Sequence, residues 1–137
     1  SGVGSNPTDV MIYDEHIFVA NAGSNNIYQI SIKSFGIEKE ITAGFGSHRV
    51  ALGLMNRIYV ANRNSNDISI IPSSMSMAIQ RIAVGDLPQE MVIDRERRKL
   101  YVANEGTNTV SVIDLVREKL IGSIPVGKQP YGLALIE

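Results

Sequence analysis

Side chains able to move protons, bind metals or attack substrates are few in this 137-residue chain. It has two histidines, His16 and His48, and no cysteine. The absence of cysteine removes disulfides, thiolate metal sites and a thiol nucleophile from consideration. A metal centre needs three or four nitrogen, sulfur or carboxylate ligands at one point, and neither histidine sits in such a cluster. No metal or other cofactor is therefore expected. Serines are plentiful, yet none shares a local position with a histidine and a carboxylate, so covalent hydrolysis lacks its apparatus. Phosphate-loop, dinucleotide and nucleophile-elbow patterns are also missing, since Gly44-Phe45-Gly46 is only a glycine-rich turn. Asp94-Arg95-Glu96-Arg97-Arg98-Lys99 is the dense charge run and reads as a solvated turn. With no basic stripe continuing it, a nucleic-acid partner is not expected.

The elements that must position such side chains emerge from internal repetition. Ile17-Phe18-Val19-Ala20-Asn21 returns as Ile58-Tyr59-Val60-Ala61-Asn62 and again as Leu100-Tyr101-Val102-Ala103-Asn104. Each copy is followed by two variable residues and a polar turn bearing Asn25, Asn66 or Asn108. Val84-Gly85-Asp86-Leu87-Pro88 is matched by Val126-Gly127-Lys128-Gln129-Pro130 and by Val3-Gly4-Ser5-Asn6-Pro7. A period near 41 residues, with β-branched and aromatic runs punctuated by Gly, Asn, Asp and Pro, predicts one four-stranded antiparallel unit per repeat. The units fall at approximately 7–44, 48–85 and 88–127, with a spare innermost strand at 130–136. The recurring asparagines sit where a tight hairpin requires positive φ, which makes them a backbone requirement.

Leu100-Tyr101-Val102-Ala103-Asn104, Thr109-Val110-Ser111-Val112-Ile113-Asp114 and Val126-Gly127-Lys128-Gln129-Pro130 resemble the Tyr-Val-Thr-Asn (YVTN) family of β-propeller repeats, and the resemblance covers essentially the whole chain. It implies an all-β fold of three propeller blades plus a spare strand. It also implies an extracytoplasmic setting, periplasmic, secreted or cell-surface. Some relatives are lactonase-like or carry redox centres. The chain departs from the pattern where the aspartate after the third strand appears only as Asp114, with Ser31 and Pro72 in its place, and where Ser47 replaces the loop proline.

A blade buries both faces against neighbours, and rings close with about four to eight blades, so three blades leave two faces uncovered. Self-association, most simply as a six-blade pair, or further blades of a longer propeller would cover them. Net charge is −1, giving no global field toward nucleic acid or an anionic surface. No apolar run reaches the roughly 18 residues of a spanning helix, so membrane insertion is not expected.

On one rim, the loops from the fourth strand into the first place Thr8, His48, Gln89 and Tyr131 at one equivalent position, with Asp9, Arg49, Glu90 and Gly132 at the next. Asp9, His48, Arg49, Gln89, Glu90 and Tyr131 form the candidate ligand cradle. The plainer reading makes Arg49 and Glu90 an exposed ion pair worth under about 1 kcal/mol. The function expected is a non-catalytic scaffold offering this rim and channel mouth to a protein or glycan. The alternative is part of a lactonase-like or redox-linked propeller enzyme whose catalytic residues come from other blades or chains.

Overall fold

The computed structural model describes residues 4–127. The spare strand expected at 130–136, with Tyr131 and Gly132, lies outside them. Twelve strands form three separate four-stranded sheets. The first holds β1 (Pro7–Tyr13), β2 (His16–Asn21), β3 (Asn26–Ser31) and β4 (Ile37–Thr42). The second holds β5 (Ser47–Leu52), β6 (Arg57–Asn62), β7 (Asp67–Pro72) and β8 (Gln80–Ala83), and the third β9 (Pro88–Asp94), β10 (Lys99–Asn104), β11 (Thr109–Asp114) and β12 (Lys119–Pro125). Each sheet is an antiparallel meander in chain order. One 3-10 turn, Leu54–Asn56, is the helical element among the described residues, and none is long and apolar enough to cross a membrane.

Packing follows the strand period of two, in which successive side chains point to opposite faces. In β6, Ile58 and Val60 enter a core with Phe18, Ile27 and Ile41 of the first blade. Tyr59 and Ala61 enter a second core with Met91, Leu100 and Val102 of the third. The middle blade is thus apolar on both sides, which explains its unbroken Ile58-Tyr59-Val60-Ala61 run. Among the described residues, the flanking blades are covered on one side only. Ile41, Ile82 and Ile124 occupy one repeat position on the fourth strand, and their exposures are 0%, 6% and 49%. Val10, Val50 and Met91 are equivalent on the first strand, at 61%, 7% and 8%. Chemistry at these positions is alike, so the exposure reports whether a neighbouring blade is there.

The turns explain the sequence landmarks. Asn25, Asn66 and Asn108 all have positive φ, at 60°, 58° and 55°. Asn25 and Asn66 also bond across to the next blade. Asn25 Oδ1 accepts from the Gly46 backbone N–H at 2.8 Å, and Asn66 Oδ1 accepts from that of Leu87 at 3.0 Å, each bond reaching the next blade's entry. The glycine at this repeat position, Gly4, Gly44 or Gly85, makes room for the strand-end asparagine. A Cβ on Gly44 would stand 2.6 Å from the Asn62 amide, whose Oδ1 accepts the Gly44 N–H at 3.0 Å.

Ser31 takes over the turn role of the family aspartate, its Oγ accepting the N–H groups of Lys33 and Ser34 as Asp114 Oδ1 accepts those of Val116 and Arg117. Pro72 instead opens an excursion along the outer edge of the first blade. There Ser76 O accepts the Thr42 N–H at 2.9 Å, Met77 pairs in parallel with Thr42, and Ser73 O accepts Lys39 Nζ at 3.0 Å. The charge run at 94–99 is likewise structural. Asp94 is buried and caps its own turn through Arg97, while Arg95 donates to the Leu52 and Gly53 carbonyls of the middle blade.

Candidate functional site

The innermost strands begin earlier than the sequence reading placed them, at Pro7, Ser47 and Pro88. Thr8, His48 and Gln89 therefore lie inside strands rather than in the preceding loops. At each of them the ladder slips by one residue: Pro7 pairs with Asn21 but Asp9 with Ala20, Ser47 with Asn62 but Arg49 with Ala61, and Pro88 with Asn104 but Glu90 with Ala103. Each blade carries the same β-bulge, with Thr8, His48 or Gln89 as the extra residue. A bulge re-aims its side chain and takes its backbone out of the ladder.

The freed carbonyls are used at once. His48 O accepts from Thr8 Oγ1 at 2.8 Å, and Gln89 O accepts from Arg49 Nε at 3.1 Å, so the second and third bulges are each bonded by the blade before them. Asp9 Oδ2 accepts the Val50 N–H at 3.1 Å. Arg49 also stands 3.8 Å from Asp9 and 3.7 Å from Glu90. The expected exposed Arg49–Glu90 pair is thus a half-buried, three-membered bridge across all three blades. Asp9, Arg49 and Glu90 act largely as joints.

Above the joints lies an open cleft of about 490 Å³. Its floor is made by the bulge residues Thr8, His48 and Gln89, and its wall by Asn6, Arg63, Asn64 and Glu105. The wall comes from the entry loop of the first blade and from the turns that follow β6 and β10. Those turns open with the two variable residues after the strand-end asparagine, a signal present in the sequence but not read as a site. Arg63 bridges blades, donating from Nε to Gln89 Oε1 at 3.0 Å and from Nη2 to Glu105 at 3.0 Å.

His48 is where the cleft departs from a solvent-facing histidine. Its Nε2 is buried and has no hydrogen-bond partner among the described residues. Burial first, then the Arg49 and Arg63 guanidinium groups, lowers its pKa below the ordinary imidazole value, against the opposing pull of Asp9 and Glu90. The ring is neutral at pH 7, with one donor and one acceptor nitrogen. His16 lies at the opposite ends of the strands, where its Nε2 meets Glu38 at 3.0 Å. Among the described residues no three His, Asp or Glu side chains converge to hold a metal ion.

The structure thus brings together Asp9, His48, Arg49, Gln89 and Glu90 of the sequence-derived candidates, divided between joint and cleft. Tyr131 falls outside the described residues.

Several solved structures share this architecture. Hydrazine synthase of Kuenenia stuttgartiensis superposes with a TM-score of 0.86 at 21% identity, over 96% of this chain and 40% of its own. A functionally unknown protein of Desulfotomaculum acetoxidans gives 0.74 at 17%, over 94% and 46%. The WD40 repeats of RRP9 give 0.77 at 18%, over 91% and 40%. The chain therefore spans less than half the length of each. At these identities the likeness is one of fold. No curated protein matches. The YNCE-like beta-propeller profile matches residues 1–137, and with three repeating blades whose second strands carry Phe-Val-Ala-Asn or Tyr-Val-Ala-Asn, this chain belongs to that YVTN-type propeller family.

Proposed function

We propose that this chain is a propeller scaffold on the outer side of the cytoplasmic membrane whose channel-mouth rim binds a partner without transforming it. The observation that carries this reading is how the rim spends its polar groups. Asp9, Arg49, Arg63, Glu90 and Glu105 are engaged with neighbouring blades, and among the described residues the imidazole in the cleft has neither a carboxylate nor a hydroxyl bonded to its buried nitrogen. General acid–base or nucleophilic chemistry needs an oriented pair, and a binding surface does not. The open faces of the first and third blades extend the proposal. They take either further blades of a longer propeller or a second copy of this chain, because equivalent positions inside the stack are covered by a blade.

Retention of the fluorescently labelled protein on cell-envelope fractions, compared with Asn64→Arg, which fills the cleft mouth, and with Lys33→Glu at a distant exposed turn, tests the reading. Retention lost with Asn64→Arg and kept with Lys33→Glu is expected. Equal retention of all three, or lactone hydrolysis above the buffer rate that disappears in His48→Ala, would overturn it, the second in favour of a propeller enzyme.

A further inference from the structure

Resting on the reading that this rim binds, we propose that the cleft over Thr8, His48 and Gln89 takes a neutral carbohydrate unit, one or two sugar rings at the end of a glycan. Charge argues first. The ionised side chains lining the cleft are Arg63 and Glu105, and they pair with each other at 3.0 Å. A phosphate or carboxylate would meet a guanidinium already bonded to Glu105 and Gln89 and would leave Glu105 without its partner. Among the described residues no further charged side chain lines the cleft to reward an ion of either sign. A neutral ligand leaves the bridge intact.

The remaining groups suit hydroxyls, each of which donates once and accepts twice. His48 offers a buried Nε2 with no partner among the described residues. Thr8 Oγ1 donates to His48 O at 2.8 Å, so toward a ligand it presents lone pairs. Asn6 and Asn64, both exposed, add amides able to donate and accept. An aliphatic ligand would strand these groups, whereas a polyol satisfies them.

An exposed aromatic residue adjoins the cleft along the chain. Phe45 is 64% exposed, precedes the cleft residue Gly46, and its carbonyl accepts the Asn64 N–H at 3.0 Å. The same repeat position holds Ser5 and Asp86 in the other described entry loops. An exposed phenyl on the residue whose carbonyl holds Asn64 is available to offer a flat apolar surface to the C–H face of a pyranose. The cleft volume of about 490 Å³ lies within the roughly 300–1,000 Å³ of small-ligand sites.

Ligand-observed NMR on the full chain, with glucose, N-acetylglucosamine, maltose and cellobiose as neutral probes and glucuronate and inorganic phosphate as anionic ones, decides the matter. At least one neutral sugar should saturate the protein, with affinity falling tenfold or more in Phe45→Ala and in Asn64→Ala, both exposed positions that leave the core untouched. His48→Phe should abolish it. No binding by any neutral probe, tighter binding of phosphate or glucuronate, or unchanged affinity in Phe45→Ala and Asn64→Ala would overturn the proposal. Envelope retention that depends on the rim yet is not competed by the sugars would sink the carbohydrate assignment alone. Rim-independent retention would sink the binding reading beneath it.

Discussion

Ile41, Ile82 and Ile124 form a ready-made experiment, because one residue type occupies one repeat position with exposures of 0%, 6% and 49%. Truncation to alanine at the first two removes buried methyl and methylene groups from inter-blade cores and leaves a cavity, a change that costs about 2–5 kcal/mol. At Ile124 roughly half the side chain is already wet and water fills what is removed. Full burial of such a side chain contributes about 1.5–3 kcal/mol, so the loss there should be about 1 kcal/mol and carry no cavity penalty. Urea unfolding of the three variants at low and high protein concentration reads both effects. Ile41→Ala and Ile82→Ala should exceed Ile124→Ala by about 1–4 kcal/mol at low concentration. If a second copy covers the open face, the cost of Ile124→Ala should grow with concentration while that of Ile41→Ala stays constant. An Ile124→Ala cost equal to that of Ile41→Ala in a dilute monomer would refute the reasoning that a neighbouring blade creates the burial.

Three further outcomes follow from particular contacts. Asn66→Gly keeps the positive φ but deletes the bond to the Leu87 N–H, so it should cost about 1 kcal/mol in denaturant titration; Asn66→Val adds backbone strain and should cost about 2–4 kcal/mol. Tyr59 is fully buried and donates to Glu118 at 2.8 Å, with burial and that bond raising its phenol pKa, so Tyr59→Phe should lose about 1–3 kcal/mol by leaving the buried Glu118 with Arg57 alone. The backbone N–H of Arg97 lowers the pKa of Asp94, and those of Arg117 and Val116 lower that of Asp114. Each lowered carboxyl contributes stability that is present above the unfolded value of about 3.9 and is lost as pH falls through the lower folded value. Acid unfolding followed by circular dichroism should therefore show a shallower limb below about pH 4 in the Asp94→Asn, Asp114→Asn double variant, and an unchanged limb would refute these roles.

Strand order, blade number and the positive-φ asparagines were legible in the sequence because a repeat states each of them three times. Partnerships across blades were not, since they join residues about one repeat apart whose types differ from copy to copy. Arg49 and Glu90 looked like surface charges; their half-buried setting depends on Asp9, forty positions from Arg49 in the sequence. Proline misled locally. Pro7 and Pro88 were read as loop residues preceding the strand, whereas each is the first residue of its strand, a place where a missing N–H costs the ladder nothing. That shift moved the candidate site from loop to bulge. The Ser73–Ile79 excursion carries no repeat partner, so nothing in the sequence indicated that it would run along β4.

The bulge also accounts for how one strand serves both scaffold and site. An unbroken ladder would engage the carbonyl of its first residues within the blade, leaving inter-blade contact there to side chains alone. The bulge instead releases a carbonyl, and the preceding blade donates to it: Thr8 to His48, and Arg49 to Gln89. A backbone acceptor is indifferent to the side chain attached to it. The carbonyl joint therefore holds with histidine or glutamine at the bulge, while those side chains line the cleft. At His48 the scaffold uses the carbonyl and the cleft the ring, whereas Thr8 Oγ1 and Gln89 Oε1 bond across blades from side chains that also line the cleft. What the cleft binds is then set by three side chains and the turns above them, and two of those side chains, Thr8 and Gln89, also hold neighbouring blades together.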